Sequence, residues 1–360
     1  MKLKKNTKNN LVTYGIVCVL FLLVFLWINF GKSIGIGSMP RAYQAQLVPI
    51  CVYVVAAIAL NLVVGVSGEL SLGHAGFMSI GAFSGVVFYQ ALSFIGQPVV
   101  QLVLSMLFGG MVAGFMGMLI GIPVLRLRGD YLAIVTLAFG EIIKQIINCI
   151  YLGRSDAGWH FSFIQNKLPE DATKIINGAM GATGHPKVST YVIGFALILF
   201  ALTVALNLMR SKHGRAIMAI RDNRIAAESI GLSAFKFKLT AFTVSAILTG
   251  MAGSLYSMNI ASVQATKFDF NTSIDLLVFV VLGGMGNMRG SIIAAIILTL
   301  LPETPLLRGL GEARMLIYAI LLIGMMLLTQ SKGGKRIVAW AKDKTAVVLK
   351  KTKKEGADNE

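Results

Sequence analysis

The chain has 360 residues, of which 56% are hydrophobic and only 14% are charged, and its net charge is +17. Because a soluble domain is close to a quarter charged, this composition excludes an ordinary soluble protein. The basic excess accompanies long apolar segments, so it predicts contact with anionic membrane lipid and not with nucleic acid.

Apolar segments of bilayer-spanning length recur along the chain and predict an all-α, polytopic membrane protein with about ten transmembrane helices. The first segment is too long for the apolar core of a signal peptide, and no small-residue cleavage site follows it. The eighth and ninth are short, so they form either two half-spans or one broken helix. The predicted spans lie near residues 11–30, 47–64, 75–90, 100–120, 131–150, 189–209, 238–258, 274–284, 291–301 and 314–329.

The distribution of Lys and Arg predicts the orientation of these spans. With the N-terminus in the cytoplasm, the outer segments hold only eight of the 33 Lys and Arg residues. Basic residues concentrate on the cytoplasmic side of membrane proteins. We therefore predict a cytoplasmic N-terminus (1–10), a transmembrane domain (11–329) with an inner loop (210–237) and a long outer loop (151–188), and a basic cytoplasmic tail (330–360).

One glycine-rich stretch, residues 61–85, interrupts the apolar pattern with six glycines, a glutamate and a histidine. Glycine is unfavourable inside a helix, and ionisable side chains are costly in lipid. Such a stretch either lines a transport pathway or forms a close helix crossing that needs small residues. The candidate pathway residues are Ser67, Gly68, Glu69, Ser71 and His74.

A second glycine-rich stretch, LGGMGNMRG at 282–290, lies in a similar position in the second half of the chain. Ten spans divide into five and five, and duplication of an odd number of spans gives inverted repeats.

Small residues also repeat in the fourth span, which predicts a close helix–helix contact. Its packing glycines are Gly110, Gly114, Gly117 and Gly121. In the fifth span, Glu141 and Lys144 lie on one helical face, where a structural charge pair is expected.

Enzyme and metal chemistry find no support in the sequence. Gly31-Lys32-Ser33 resembles the end of a phosphate-binding loop, but Leu26 occupies the position of the required upstream glycine. The three cysteines fall within apolar segments, and His160 and His185 lack metal-ligand spacing, so both histidines are interpreted as ordinary loop residues. No catalytic residue, cofactor or metal is predicted, and an intramembrane enzyme using Glu69 and His74 is a minor alternative.

The inner loop predicts a short helix that docks on a partner. Asp222 or Asn223 is suited to cap its start, and Gly231 is typical of the residue that follows a helix. Its apolar side carries small residues, which favours a partner's groove over the membrane surface because Ala-Ala is a poor lipid anchor. The residues of this candidate helix are Asn223, Arg224, Ile225, Ala226, Ala227, Glu228, Ile230 and Gly231.

Four motifs of the sequence are similar to those of a known protein family. LNLVVGVSGELSLGHAGFMSIGAF at 60–83, RLRGDYLAIVTLAFGEI at 126–142, GRAIMAIRDNRIAAESIGLSAFKFKLTAF at 214–242 and DLLVFVVLGGMGNMRGSIIAA at 275–295 resemble M-type permeases (the LivM group) of branched-chain amino-acid ABC importers. The third motif is similar to that family's cytoplasmic coupling loop. The H-type sister family is less similar, because it reads closer to NFAHGE where this chain has SLGHAGF.

The resemblance implies an importer subunit in the bacterial inner membrane, with an all-helical fold of inverted repeats. Its implied partners are an H-type permease, two cytoplasmic ATPase subunits and an extracytoplasmic substrate-binding protein. LGRSDAGWHF at 152–161 departs from the family's TGGxxG-like segment, so related permeases for urea, short amides or other amino acids remain alternatives. A stand-alone secondary transporter is a further alternative, and the coupling-loop motif argues against it.

Overall fold

The structure is a computed structural model. It describes residues 2–30, 40–127, 129–155, 158–163, 173–301, 320 and 323. Residues Met1–Leu300 form one compact unit, and Leu301–Glu360 a second. Most of the predicted last span and all of the basic tail lie outside the described residues.

The first unit is built mainly of helices, and nine of the ten predicted spans coincide with helices α1–α6 and α9–α11. Among the described residues, four segments are long and apolar enough to cross a membrane, namely Tyr43–Ser67, Pro98–Val124, Tyr191–Arg210 and Ala234–Ser257. The helices are α1 Lys2–Phe30, α2 Arg41–Asn61, α3 His74–Ala91, α4 Pro98–Val124, α5 Asp130–Asn148, α6 Tyr191–Arg210, α7 Lys212–Asp222, α8 Arg224–Ser229, α9 Ala234–Ser257, α10 Phe270–Gly283 and α11 Met288–Leu300.

The core of the unit is the mutual packing of α3, α4 and α9. Most of α3 is buried, which explains why it is less apolar than a lipid-facing helix. A Cβ atom on Gly81 of α3 would overlap the main chain of Gly250 in α9, so glycine at position 81 is needed for this approach. At the next turn, the Ser254 hydroxyl of α9 donates to the Gly81 carbonyl at 2.7 Å.

The four predicted packing glycines of α4 face α9. A Cβ atom on Gly110 would lie 2.6 Å from Met251, and one on Gly117 would lie 2.6 Å from the Ala246 methyl group. A Cβ atom on Gly114 would overlap the Ile247 side chain. One on Gly121 would lie 2.6 Å from the Leu239 side chain. These glycines therefore line one continuous helix contact, where an added Cβ atom would overlap side chains of α9.

Two interruptions of the helical path lie close together in the unit. The first helix break, residues 62–73, starts with a π-helical turn (Leu62–Ser67) and continues without regular structure to α3, with Gly68 at φ 75°. The second helix break, residues 284–287, separates α10 from α11 and has Gly284 at φ 90° and Gly286 at φ 81°. Positive φ angles favour glycine, so the glycines there set the backbone path.

Strands of the 151–188 loop and a short strand after α9 form a small antiparallel sheet, which was not predicted from the sequence. The sheet has the strand order β2-β1-β3-β4-β5. The strands are β1 Tyr151–Ser155, β2 Gly158–Ser162, β3 Thr173–Asn177, β4 Ala182–Thr183 and β5 Ser262–Val263. His185, expected to be an ordinary loop residue, is buried with its Nε2 2.7 Å from the Ser257 carbonyl oxygen. The strands of this loop pair with each other and, through β4, with β5.

The sheet and the α7–α8 segment lie at opposite ends of the helices. Helix α6 begins after the sheet and leads into α7, and α9 begins after α8 and leads back to β5. We call these the sheet end and the α8 end. Both helix breaks lie toward the α8 end, where α7 contacts the π-helical turn.

Candidate translocation and coupling site

The first helix break frees a main-chain carbonyl group. In an uninterrupted α-helix the Glu69 N–H would donate to the Gly65 carbonyl, four residues earlier. Here it donates to the Val63 carbonyl at 3.2 Å, as the Gly68 N–H also does. The Gly65 carbonyl oxygen is therefore available to a group outside the helix, and such π-type interruptions are frequent at functional sites.

The two helix breaks contact each other. The Gly286 N–H donates to the Asn61 Oδ1 at 2.8 Å, and the Asn61 Nδ2 donates to the Ser291 Oγ at 2.8 Å. A Cβ atom on Gly65 would lie 2.8 Å from the Gly286 Cα and would also overlap Asn61. Buried Asn61 thus bonds to the second break and to the helix that follows it, α11, and glycine at position 65 permits the approach.

Glu69, one of the predicted pathway residues, is paired with a cation. Its carboxylate forms an ion pair with the Lys238 ammonium group of α9. The two side chains are 14% and 13% exposed, so the charges compensate each other in a largely desolvated place. Lys238 was not predicted as the partner of Glu69; a lysine near the start of an apolar helix was the signal for it.

His74, the first residue of α3, is a buried bracing residue. Its Nδ1 lies 3.2 Å from the Ser71 Oγ, and its Nε2 lies 2.7 Å from the Ser245 Oγ of α9. Ser245 in turn donates to the Ala59 carbonyl of α2 at 2.6 Å. The imidazole therefore ties the start of α3 to two other helices, and both of its ring nitrogens are engaged. Ser67 is also buried, and its hydroxyl has no hydrogen-bond partner among the described residues.

Arg221, at the end of α7, reaches the first helix break. Its Nη1 donates to the freed Gly65 carbonyl oxygen at 2.8 Å. Its Nε and Nη2 donate to the Asp222 carboxylate at 3.2 and 3.0 Å, which fixes the plane of the guanidinium group. A Cβ atom on Gly68 would lie 2.7 Å from the Arg221 Cγ, so glycine makes room for this side chain. Arg221 was not predicted from the sequence as a functional residue.

The short helix α8 forms where the sequence predicts it. The Asn223 Oδ1 accepts the Ala226 N–H at 3.1 Å and caps the helix start. Arg224 pairs with Glu228 at 2.8 Å, one turn later. Gly231 follows the helix at φ 85°, the left-handed conformation typical of a helix end. These local interactions explain a helix of only six residues.

The exposed face of α8 differs from the predicted one. Ile225 and Ile230 are 82% and 75% exposed, and Ala226 is exposed beside them. Ala227 is buried against Ile220 of α7 and Ala234 of α9. The prediction that Ala227 lies on the exposed face is therefore wrong, because its methyl group packs α8 onto the rest of the chain.

The sheet end holds a polar cleft of about 590 Å³. Arg154 of β1 crosses it and donates to the Gln90 carbonyl and the Ser93 hydroxyl, each at 3.0 Å. Its guanidinium group also lies over the Trp159 ring at 5.8 Å. Lys174 adds a second cation to the lining. This polar cleft was not predicted from the sequence, because its lining comes from β1, β3 and α3, which only folding brings together.

Other polar groups are structural in character. Glu141 and Lys144 form the ion pair predicted for α5. Within the part of the chain that the structure describes, no three His, Cys, Asp or Glu side chains are grouped so that they could hold a metal ion.

Comparison with known proteins gives consistent matches. A family model described as "Branched-chain amino acid transport system / permease component" matches residues 44–326. The high-affinity branched-chain amino acid transport system permease protein LivM of Escherichia coli (strain K12) is 36% identical over 291 residues, which cover 77% of this chain and 66% of that protein. LivM of Salmonella typhimurium is also 36% identical, with the same coverage.

The match therefore spans slightly less than two thirds of the length of these two relatives. The nucleoside ABC transporter permease protein NupC of Lactococcus lactis is 23% identical over 67% of this chain and 75% of its own length. No solved structure matches the chain. Since the family model covers most of the chain, including both helix breaks and α8, the chain belongs to the family of permease components of branched-chain amino acid transport systems.

Proposed function

We propose that the chain is an M-type, membrane-spanning permease subunit of an ATP-driven importer for branched-chain or other neutral amino acids. The family match and the LivM relatives support this class. The sequence lacks a complete phosphate-binding loop, so ATP hydrolysis would take place on separate subunits.

The observation that carries the proposal is the exposed face of α8. Ile225 and Ile230 are among the most exposed large hydrophobic side chains of the described residues, and they lie at the α8 end beside both helix breaks. A capped helix with exposed apolar side chains is suited to a groove on another protein. We assign this face to a cytoplasmic ATPase subunit.

The remaining partners are proposed from the family to which the chain belongs. The complex would contain an H-type permease, two ATPase subunits and an extracytoplasmic substrate-binding protein in the bacterial inner membrane. Both termini would be cytoplasmic, which puts the α8 end inside and the sheet end outside. The polar cleft at the sheet end, which Arg154 and Lys174 line, would then face the binding protein.

We place the translocation path beside the first helix break. Ser67, Gly68, Glu69, Ser71 and His74 lie within it or directly follow it, and ionisable groups at membrane depth are typical of transport pathways. Of these, Glu69 is the charged candidate, and His74 braces the surrounding helices.

Urea, short amides and other amino acids are alternative substrate classes, because one segment departs from the family pattern. That segment, LGRSDAGWHF at 152–161, contains Arg154, which lines the polar cleft at the sheet end. Nucleosides, suggested by the name of the more distant relative NupC, have weaker support because identity falls to 23%. The substrate is assigned by measuring which compounds bind the partner binding protein and drive uptake.

The assignment of α8 is tested by co-purification. Ile225→Asp adds a charge to the exposed face without touching the core, so the permease should stay folded and lose its ATPase subunits during purification. Met180→Asp is the matched control, since Met180 is 61% exposed at the sheet end. Equal ATPase recovery with both variants would contradict the assignment. Uptake by the chain alone in liposomes, without ATPase subunits, would support a secondary transporter instead.

A further inference from the structure

Helices α7 and α8 form one rigid corner. Only Asn223 separates them, and its N–H donates to the Ala219 carbonyl of α7 at 3.0 Å while its side chain caps α8. Ala227 of α8 is packed against Ile220 of α7. A movement imposed on α8 would therefore be passed to the end of α7, where Arg221 lies, and would not be absorbed between the helices.

Arg221 joins this corner to the first helix break. Its Nη1 bonds the Gly65 carbonyl oxygen, which the π-helical turn has released from its usual helical partner. A hydrogen bond from a charged donor is among the stronger ones in proteins. Gly68 leaves room for the arginine stem, and Asp222 holds the guanidinium group in place. The contact is thus built from several residues of both elements.

The same contact extends to the second helix break. Gly65 approaches Gly286 so closely that no Cβ atom fits between them, and Gly286 also donates to Asn61. The Arg221 Nη1 itself lies 3.9 Å from the position that a Cβ atom on Gly286 would take. A displacement of the Gly65 carbonyl would consequently shift both breaks, because their main chains are in contact.

Resting on the proposed function, we infer that Arg221 is the positioning residue through which the ATPase-bound α8 moves the translocation path. It acts through the main chain at Gly65 and touches neither nucleotide nor substrate. Other basic side chains of this segment are engaged elsewhere: Arg215 donates to the Arg210 carbonyl at 2.9 Å, and Arg224 pairs with Glu228 within α8.

The test uses the complete complex in proteoliposomes, with substrate uptake and ATP hydrolysis measured on the same sample. Arg221→Ala should assemble with its ATPase subunits as the wild type does. The number of substrate molecules transported per ATP should fall about tenfold, the effect of losing one hydrogen bond to a charged group. Arg221→Lys keeps a cation able to reach a carbonyl and should recover part of the ratio. Arg215→Ala, on the exposed side of the same helix, should transport as the wild type does.

Three outcomes would overturn the inference: a wild-type ratio in Arg221→Ala, an equal loss in Arg215→Ala, or failure of both Arg221 variants to assemble. If only Arg221→Ala fails to assemble, the ratio in Arg221→Lys decides, and a wild-type value overturns the inference. A wild-type complex that shows no ATP-driven uptake would instead contradict the proposed function, whatever the Arg221 variants do.

Discussion

Glu69 of the first helix break and Lys238 of α9 form an ion pair across 169 positions of the sequence. Because both side chains are largely shielded from solvent, each charge depends on the other for compensation. The pair fixes the unwound segment between α2 and α3 onto a helix of the core.

Removing one member of this pair should destabilise the protein strongly. Glu69→Ala leaves the Lys238 charge uncompensated, and the loss of such a partner typically costs about 3–5 kcal/mol. Thermal or denaturant unfolding in detergent measures the change. Glu228→Ala is the control, because the Arg224–Glu228 pair is exposed and such pairs contribute about 1 kcal/mol or less. Equal losses in the two variants would contradict a buried pair.

The double variant Glu69→Ala/Lys238→Ala sharpens this prediction. It removes both charges, so it should cost clearly less than the sum of the two single variants. Strict additivity would mean that the two side chains do not interact in solution.

Gly65→Ala should prevent the two helix breaks from meeting. The added methyl group would overlap Asn61 and lie 2.8 Å from the Gly286 Cα, and main-chain atoms cannot move aside as a flexible side chain can. We expect a loss of about 1–3 kcal/mol in unfolding free energy, together with loss of uptake. Gly140→Ala in α5 is the control, since the nearest atom would be 3.8 Å away. A stable, active Gly65→Ala variant would show that the breaks are further apart.

Ala227→Asp should disrupt the packing of α8 itself, whereas Ile225→Asp should only weaken binding of the ATPase subunits. It places a carboxylate among Ile220, Ala234 and their apolar neighbours, so the α8 segment should lose its packing. Increased proteolysis of the 210–237 loop is the expected measurement, and Ile225→Asp should leave that rate unchanged. If Ala227→Asp is as resistant as the wild type, α8 is not packed as described.

The orientation of the two ends can be measured by cysteine labelling. Lys174→Cys at the sheet end and Ser229→Cys on α8 both place a thiol at an exposed position. In a background without Cys18, Cys51 and Cys149, an impermeant reagent applied to intact cells should label only the first. Labelling of Ser229→Cys alone would invert the proposed orientation.

Local structure was predictable from the sequence where the signals are themselves local. Asn223 and Gly231 stand eight positions apart and bound α8 as predicted, because capping depends on neighbouring residues. The apolar helices follow from hydropathy in the same way. The strands were not predictable from such signals, because β4 and β5 have only two residues each.

Contacts between distant residues account for what the sequence did not reveal. Arg221 and Gly65 are 156 positions apart, and only folding shows that the released carbonyl and the guanidinium group meet. The burial of Ala227 has the same origin, since it depends on how α8 lies against α9. For Glu69, the cost of a charge in lipid predicted that some compensation exists but could not identify Lys238.

The pairing of β4 with β5 has a consequence for how the protein is made. Ala182 faces Val263, and the chain between them includes α6 and α9. During synthesis, residues 182–183 would therefore reach the outer surface well before their partner strand, which arrives only after α9 has been inserted. The edge of β4 would stay unpaired in that interval, so the sheet would close late in biogenesis, and a ribosome stalled within α9 should leave it open to protease.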